Sequence, residues 1–209
     1  MSTPRDIIDF WFEGVNDADK FDTGKNPFRK WFAKNERFDD EVRDYFEEDL
    51  VRAGGGELDA WGETPAGRLA LILLFDQFSR NMYRSTSQAF ATDPLALDLS
   101  RRSLSDGFDR KLPLIQRVFL YMPLMHSEDL PDQNECVRQF EGLVQECREK
   151  YPANAAPFES NLNYARRHRD IIARFGRFPH RNAVLARPST EEEQRFLTER
   201  GSSFYRRER

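Results

Sequence analysis

The sequence predicts an all-α protein, folded as a single domain of about eight helices. Val, Ile and Thr are sparse, and no stretch alternates apolar and polar residues for long enough to predict a β-sheet. Proline follows Thr or Asp at several positions, which is a common start signal of a helix. No linker is rich enough in Pro, Gly or Ser to separate two domains. We therefore expect one helical domain over residues 1–200 and a frayed basic tail over residues 201–209.

The helices of the first half are predicted from caps, apolar spacing and glycine stops. Thr3 and Pro4 open the first helix, over IIDFWF. In the second helix apolar residues recur at helical spacing until Gly54 ends it. In chain order, the signals of this half place helices from Pro4, from about Phe38 to Gly54, from Pro65 to about Met82, and from Asp93 to Gly107.

The helices of the second half are separated by short turns that proline and glycine mark. Short connections predict antiparallel helix pairs packed side by side. Two cysteines, Cys136 and Cys147, fall on one of these helices about 16 Å apart, so we expect reduced, buried thiols rather than a disulfide. The signals place helices from Pro113 through Phe119, from Pro131 to Pro152, from Pro157 to Phe178, and a short last helix with a capping box of Ser189 and Glu192.

The composition excludes several classes of function. The chain has 209 residues and a net charge of -4, and it has no DNA- or RNA-recognition motif, so nucleic acid is not an expected partner. The longest apolar run, residues 69–75, is too short to cross a bilayer, so no membrane association is expected. No secretory signal is readable at the start of the sequence, and we expect a cytoplasmic protein. No motif predicts a cofactor.

The first polar block covers residues 73–84, and its helix carries apolar residues nearly all the way round. At 100° per residue Asp76, Arg80 and Arg84 fall in one narrow strip, so Asp76 and Arg80 can form a pair. Arg84 then needs a partner from elsewhere, because an unpaired buried charge costs several kcal/mol. Two interpretations stay open: a structural ion pair between helices, or a binding site.

The second polar block follows Pro123, which is expected to disrupt its helix. His126, Glu128 and Asp129 cluster in the turn before the next helix. The acidic residues of this turn are typical of helix capping. Capping does not need an imidazole, so His126 remains a candidate for acid–base chemistry or ligand binding.

The third polar block covers residues 166–187, where seven arginines stand against one acid, Asp170. His168 lies at the centre of an apolar helix face with Tyr164, Ile171, Ile172 and Phe175, and is expected to point inward. The arginines could pair with the acidic segment 36–49, or they could recognise a carboxylate or phosphate. The turn after Gly176 is predicted to be exposed. Its candidate binding residues are Arg177, His180, Arg181 and Asn182.

Together these blocks resemble a bacterial family catalogued as domain of unknown function 924. The resemblance extends over nearly the whole chain through DIIDFWF, DQFSRNMYR, AFATDPLAL, YMPLMHSEDL and HRDIIARFGRFPHRN. It implies an all-helical, tetratricopeptide-like right-handed superhelix, although the sequence itself shows no period near 34 residues. It implies no activity, cofactor or site residue.

The leading functional hypothesis is a basic, histidine-containing pocket that binds a small anionic molecule or a peptide carboxylate. Its predicted ligand-binding residues are Asp76, Arg80, Arg84, His126, His168, Arg177, His180, Arg181 and Asn182.

Three alternatives stay open beside the anion site. The first is a hydrolase-like enzyme with His126 or His168 as general base and Glu128 or Asp76 orienting it. The second is a metal site of His126, Glu128 and either His168 or His180, which no metal-ligand spacing in the sequence supports. The third is a scaffold that presents a concave surface to a protein partner.

Overall fold

The computed structural model describes residues 1–13, 15, 31–32, 34–199 and 202. Within these residues the regular structure is helical and no strand is present, as the sequence predicts. Apart from Ser202, the predicted tail over residues 201–209 lies outside the described residues. In chain order the α-helices are α1 (Pro4–Phe12), α2 (Glu36–Gly54), α3 (Pro65–Ile72), α4 (Ser79–Met82), α5 (Asp93–Ser105), α6 (Leu114–His126), α7 (Leu130–Lys150), α8 (Ala155–Phe175) and α9 (Glu191–Thr198).

Most helix ends follow the predicted capping chemistry. The Thr3 side chain caps α1, and Asp6 completes a capping box. The predicted helix end at Phe178 is three residues too late, because α8 ends at Phe175 and Gly176 follows with a φ of 67°, a left-handed conformation that glycine adopts without strain. The predicted capping box of α9 is wrong by one residue, because Thr190 and not Ser189 has the extended backbone of the cap. Glu193 is its partner.

The central helix departs from regular α geometry at the first polar block. α3 runs into a single π-helical turn, Leu73–Phe78, and α4 continues from it. The residues of α3 from Gly67 onward and all of the π turn are buried, which confirms the central position predicted for this segment. A π turn is often found at functional sites because it displaces side chains from the regular helical register.

The predicted helix break at Pro123 is wrong. α6 continues through Pro123 to His126, and the residues Leu114–Met125 are all buried. Packing on every side of α6 compensates for the backbone hydrogen bond that proline removes. His126 is therefore the last residue of a rigid buried helix rather than part of a loop.

Aromatic side chains fill the core between α1, the central helix and α6. The Trp11 ring lies 5.3 Å from the Phe78 ring and 5.5 Å from the Phe119 ring, measured between centroids. α7 and α8 pack against each other and are joined by a short turn, as expected for an antiparallel pair. A second, smaller apolar cluster at the end of α8 contains Ile171, Ile172 and Phe178. The right-handed superhelix stays a prediction.

Two further expectations concern the thiols and the apolar run. Cys136 and Cys147 are buried and do not form a disulfide, as expected. Among the described residues, no helix combines the length and the apolar character that a membrane span requires.

Candidate functional site

Side chains from all three polar blocks meet at one place in the fold. Asp76 and Arg80 come from the π turn and α4, His126 from the end of α6, His168 from α8, and Arg181 from the segment after α8. We call these five residues, with Asp93 of α5, the polar cluster. Contacts link its members across four helices, so side chains of the three polar blocks meet, whereas the pocket predicted between them stays a prediction.

Asp76 is the centre of the polar cluster. Its side chain is fully buried, and its Oδ1 lies 2.6 Å from Nδ1 of His126 and 3.0 Å from Nη1 of Arg80. Gln77 donates a hydrogen bond of 2.5 Å to the other carboxylate oxygen. Burial opposes ionisation, but Arg80 and His126 outweigh it and hold the pKa of Asp76 well below its ordinary range. The carboxylate is therefore ionised at neutral pH.

The ionised carboxylate fixes the tautomer of His126. Because Asp76 can only accept, Nδ1 of His126 carries the proton and donates it. Burial lowers the pKa of His126, and Asp76 only partly offsets the effect, so the ring is neutral at neutral pH. Its Nε2 then has a lone pair that can accept a hydrogen bond or a proton.

Two arginines meet at the carboxylate of Asp93. Arg80 holds both carboxylate oxygens, with Nη1 2.8 Å from one and Nη2 2.9 Å from the other, and Nη1 of Arg181 lies 3.6 Å from the second oxygen. The Arg181 guanidinium also lies 4.5 Å from the centroid of the Phe178 ring and 4.9 Å from that of Phe90. These two aromatic rings hold the guanidinium in place. The Asp93 side chain is 22% exposed, so this edge of the polar cluster reaches solvent.

The other two histidines are His168, which belongs to the polar cluster, and His180, which lies beside it. The His168 ring is 6.4 Å from the His126 ring, between centroids, and its Nδ1 lies 2.8 Å from the Tyr164 carbonyl oxygen. The His180 ring is 5.5 Å from the Phe178 ring. Burial is the main cause that lowers both pKa values: well below the ordinary range for His168, and to about 4 for His180. Both rings are neutral at neutral pH.

Glu128 holds the segment that carries His180 and Arg181. We call residues 176–187 the strap. Glu128 accepts a hydrogen bond of 2.8 Å from the Phe178 backbone N–H and a bidentate pair of 2.6 and 3.0 Å from Arg187. The two ends of the strap are thus tied to the turn that follows His126. Glu128 does not contact His126 as its orienting acid; Asp76 has that position.

Three predicted site residues lie away from the polar cluster. Arg84 forms a bidentate pair with Asp39 of α2, with both hydrogen bonds at 2.7 Å. The helical strip does not extend to Arg84, because α4 ends at Met82. The other two residues, Arg177 and Asn182, contact Glu193 at the start of α9.

The expectation of an exposed strap is wrong for two of its residues. Arg181 is 7% exposed and Asn182 is 1% exposed. Phe178 anchors the strap in the second apolar cluster, and the polar side chains beside it are buried with it. Tyr164 departs from prediction in the other direction: it is 44% exposed, although His168 points inward as predicted.

The arginine surplus of residues 166–187 is balanced by acids outside the predicted segment 36–49. Arg169 pairs with its neighbour Asp170 in α8, and each of the other pairs joins the third block to another helix or turn, so structural pairing accounts for much of the local surplus. The pairs are Arg166 with Glu141, Arg169 with Asp170, Arg174 with Glu192, Arg177 with Glu193, Arg181 with Asp93 and Arg187 with Glu128.

Sequence reasoning missed Asp93 and Phe90. Asp93 with Pro94 was interpreted only as a helix start, which is also correct, since Asp93 begins α5. The proximity of AFATDP to the first polar block was the available signal, because a buried arginine at 80 needs more than one acceptor. Pairing across 13 positions is not visible from helical periodicity.

The polar cluster has no arrangement typical of a metal centre. Among the described residues, no three His, Cys, Asp or Glu side chains are placed to hold one ion. Two surface grooves, of about 510 and 440 Å³, are lined by α9 residues and by residues around Phe10 and Phe38, respectively. Neither groove is lined by a member of the polar cluster. We place the candidate site at the polar cluster because side chains of the three polar blocks meet there.

Comparison with known proteins agrees with the fold. The model of a family described as bacterial protein of unknown function, DUF924, matches residues 7–201. A solved structure of a protein of unknown function, ATU0120 from Agrobacterium tumefaciens, is 36% identical and has a TM-score of 0.77, covering 93% of this chain and 96% of that one. No curated protein matches the chain. The chain belongs to the DUF924 family of bacterial proteins of unknown function.

Proposed function

We propose that the polar cluster binds a small anionic ligand through Arg80 and Arg181. The observation that carries the proposal is their meeting at Asp93: two guanidiniums from distant segments converge on one carboxylate at the solvent-reaching edge. Guanidinium groups recognise carboxylate and phosphate oxygens through paired N–H donors. The acidic group of a ligand would bind beside Asp93, on the side of Arg181.

The strength of the two contacts indicates how a ligand would enter. At 3.6 Å the Arg181–Asp93 contact is an ion pair longer than a hydrogen bond, whereas Arg80 is held at 2.8 Å. Arg80 is already bound by Asp76 and by both oxygens of Asp93, so the longer Arg181–Asp93 ion pair is the contact that a ligand would exchange more easily. A ligand oxygen can therefore join Arg181, with a small movement of the partly exposed Asp93.

Thermal unfolding in the presence of anions tests this proposal. We expect acetate or phosphate, at millimolar concentration and fixed ionic strength, to raise the Tm of the protein. Arg181→Gln is expected to abolish the increase. Arg166→Gln is the matched control, since Arg166 belongs to the same basic segment but pairs with Glu141 at the surface. An absent Tm increase, or an equal one in both variants, would refute the proposal.

A second candidate function, a hydrolase-like enzyme, is favoured by the contact between Asp76 and His126. A buried carboxylate that holds Nδ1–H and leaves Nε2 as acceptor is the arrangement of a general base. His168 is the weaker candidate base, because its Nδ1 bonds a backbone carbonyl instead of a carboxylate. Panels of carboxylate and phosphate esters test for turnover. If the protein hydrolyses an ester, His126→Gln should lose turnover and retain affinity. His168→Gln should retain both turnover and affinity. Turnover that is retained in His126→Gln and lost in His168→Gln would exclude His126 as the base.

A further inference from the structure

We propose that the strap is a lid over the polar cluster, hinged at Gly176 and held closed by Glu128, and that its opening exposes His126 and His168 to solvent. This inference rests on the proposed function, since it describes the route of access to the same site. Its test uses no anion, so the lid and the anion site can fail separately.

The strap forms the outer cover of the polar cluster. On its inner side, the Phe178 ring lies 5.5 Å from the His168 ring, between centroids. Burial is the main cause that lowers the pKa of His126 and of His168, and the charge of Arg181 adds to it in both cases, so its guanidinium lies near both rings. The outer side of the strap is exposed to solvent at Ala183. The strap is thus a single layer between the two histidines and solvent.

The strap is held differently from the other segments that carry the polar cluster. Among the described residues, every backbone–backbone hydrogen bond of residues 177–187 has both partners within 178–187. The π turn, α6 and α8 are instead parts of continuous helices with buried faces. In this part of the structure, side-chain contacts fix the strap to the rest of the protein. A segment held in this way opens locally at a lower free energy than a packed helix.

Glu128 is the latch of the lid. Its carboxylate accepts hydrogen bonds from the Phe178 N–H and from Arg187, so one group binds both ends of the strap. The hydrogen bonds with Arg187 are charge-assisted and therefore strong. Beside this pair Ala186 has a φ of 52°, a left-handed conformation that is strained in a residue with a Cβ. Surrounding contacts must hold such a conformation, and release of Arg187 relieves it.

Gly176 has the properties of a hinge. It separates the last turn of α8 from the strap, and glycine can change its backbone angles without a steric cost. Arg177 and Asn182 both bind Glu193, so we expect α9 to move with the strap. Opening then breaks the latch, the packing of the strap on α8, and the ion pair of the strap with α5, which is long at 3.6 Å.

Modification by diethyl pyrocarbonate measures the opening, because this reagent acylates neutral imidazoles that solvent reaches. The chain has three histidines, and all of them lie in the strap or under it, so peptide mapping by mass spectrometry at pH 7 reports on the lid. We expect His126 and His168 to react roughly tenfold or more slowly than in the unfolded chain. Up to ~1 M urea the rates should stay constant, because a local opening exposes little surface.

Two substitutions break the latch. Glu128→Gln and Arg187→Gln should each accelerate the modification of His126 and His168 about tenfold, which corresponds to the loss of a charge-assisted hydrogen bond. The second variant keeps the test decisive if the first does not fold. Glu141→Gln is the matched control, since it removes a surface ion pair between α7 and α8 and should leave both rates unchanged.

Four results would overturn the lid. Reaction of both covered histidines at the rate of the unfolded chain would show that nothing covers them. Equal rates in the natural sequence and in both latch variants would show that Glu128 does not hold the strap. Acceleration at His180 alone would mean that the strap frays without uncovering the polar cluster. Rates that rise with urea from the start would mean that exposure requires global unfolding. Each result leaves the anion site to its own test.

Discussion

The lowered pKa of His180 makes the stability of this protein depend on pH in a measurable way. Burial, followed by the charge of Arg181, lowers its pKa in the folded protein from 6.5 to about 4. The unfolded chain takes up this proton as the pH falls through 6.5, and the folded protein takes it up only near pH 4. The free energy of unfolding therefore decreases as the pH is lowered from 6.5 to about 4.

The expected size of the effect follows from the two pKa values. One pKa unit corresponds to about 1.4 kcal/mol, so the full difference between 6.5 and about 4 is worth about 3 kcal/mol. Between pH 7 and pH 5 the contribution of His180 is about 2 kcal/mol. Most carboxylates remain ionised at pH 5, so this interval isolates histidine.

Urea unfolding at pH 7 and pH 5 measures the contribution. We expect the natural sequence to lose about 2 kcal/mol more than His180→Gln over this interval. Asn182→Ala is the matched control: it removes a buried side chain of the strap but no histidine, so its pH dependence should equal that of the natural sequence. Equal losses in the natural sequence and in His180→Gln would show that the pKa of His180 is not lowered.

Three further substitutions test the contacts that hold the site. Glu128→Gln removes the charge that binds the strap, so we expect hydrogen exchange of its amides to quicken at least tenfold while α3 is unchanged; unchanged exchange in the strap would contradict this role. Asp39→Ala leaves Arg84 without its carboxylate and should cost about 2–4 kcal/mol in urea unfolding, with the Tm response to anions retained. Asp76→Asn should lower the pKa of His126 further, because the carboxylate charge raises it, and an NMR titration of the imidazole measures the change.

The helices were predictable because local chemistry determines them. The site was less predictable, because its pairs form only in the folded chain. Thr3 and Gly176 mark helix ends through capping rules that operate within a few residues. The wheel at 100° per residue correctly paired Asp76 with Arg80, since they are four positions apart. It failed for Arg84 because the strip was extended past the helix end at Met82, which the sequence predicts and the structure confirms.

The partners of the arginines were the least predictable feature. Arg84 and Arg181 are paired with Asp39 and Asp93, acids 45 and 88 positions away, and only the folded chain brings them together. A local excess of arginine therefore overstated the positive charge of the site. The composition of a segment predicts where polar side chains collect, whereas pairing across helices decides how much charge they keep.

The balance of charge has a consequence for recognition. A site with an excess of arginine would attract anions over a distance of about 10 Å and would lose affinity steeply as salt is added. Asp76 and Asp93 cancel that attraction around Arg80 and Arg181. Any affinity for an anion must then come from short contacts with the guanidiniums. Binding that weakens only slightly as salt is added is the behaviour that this arrangement of charges would produce.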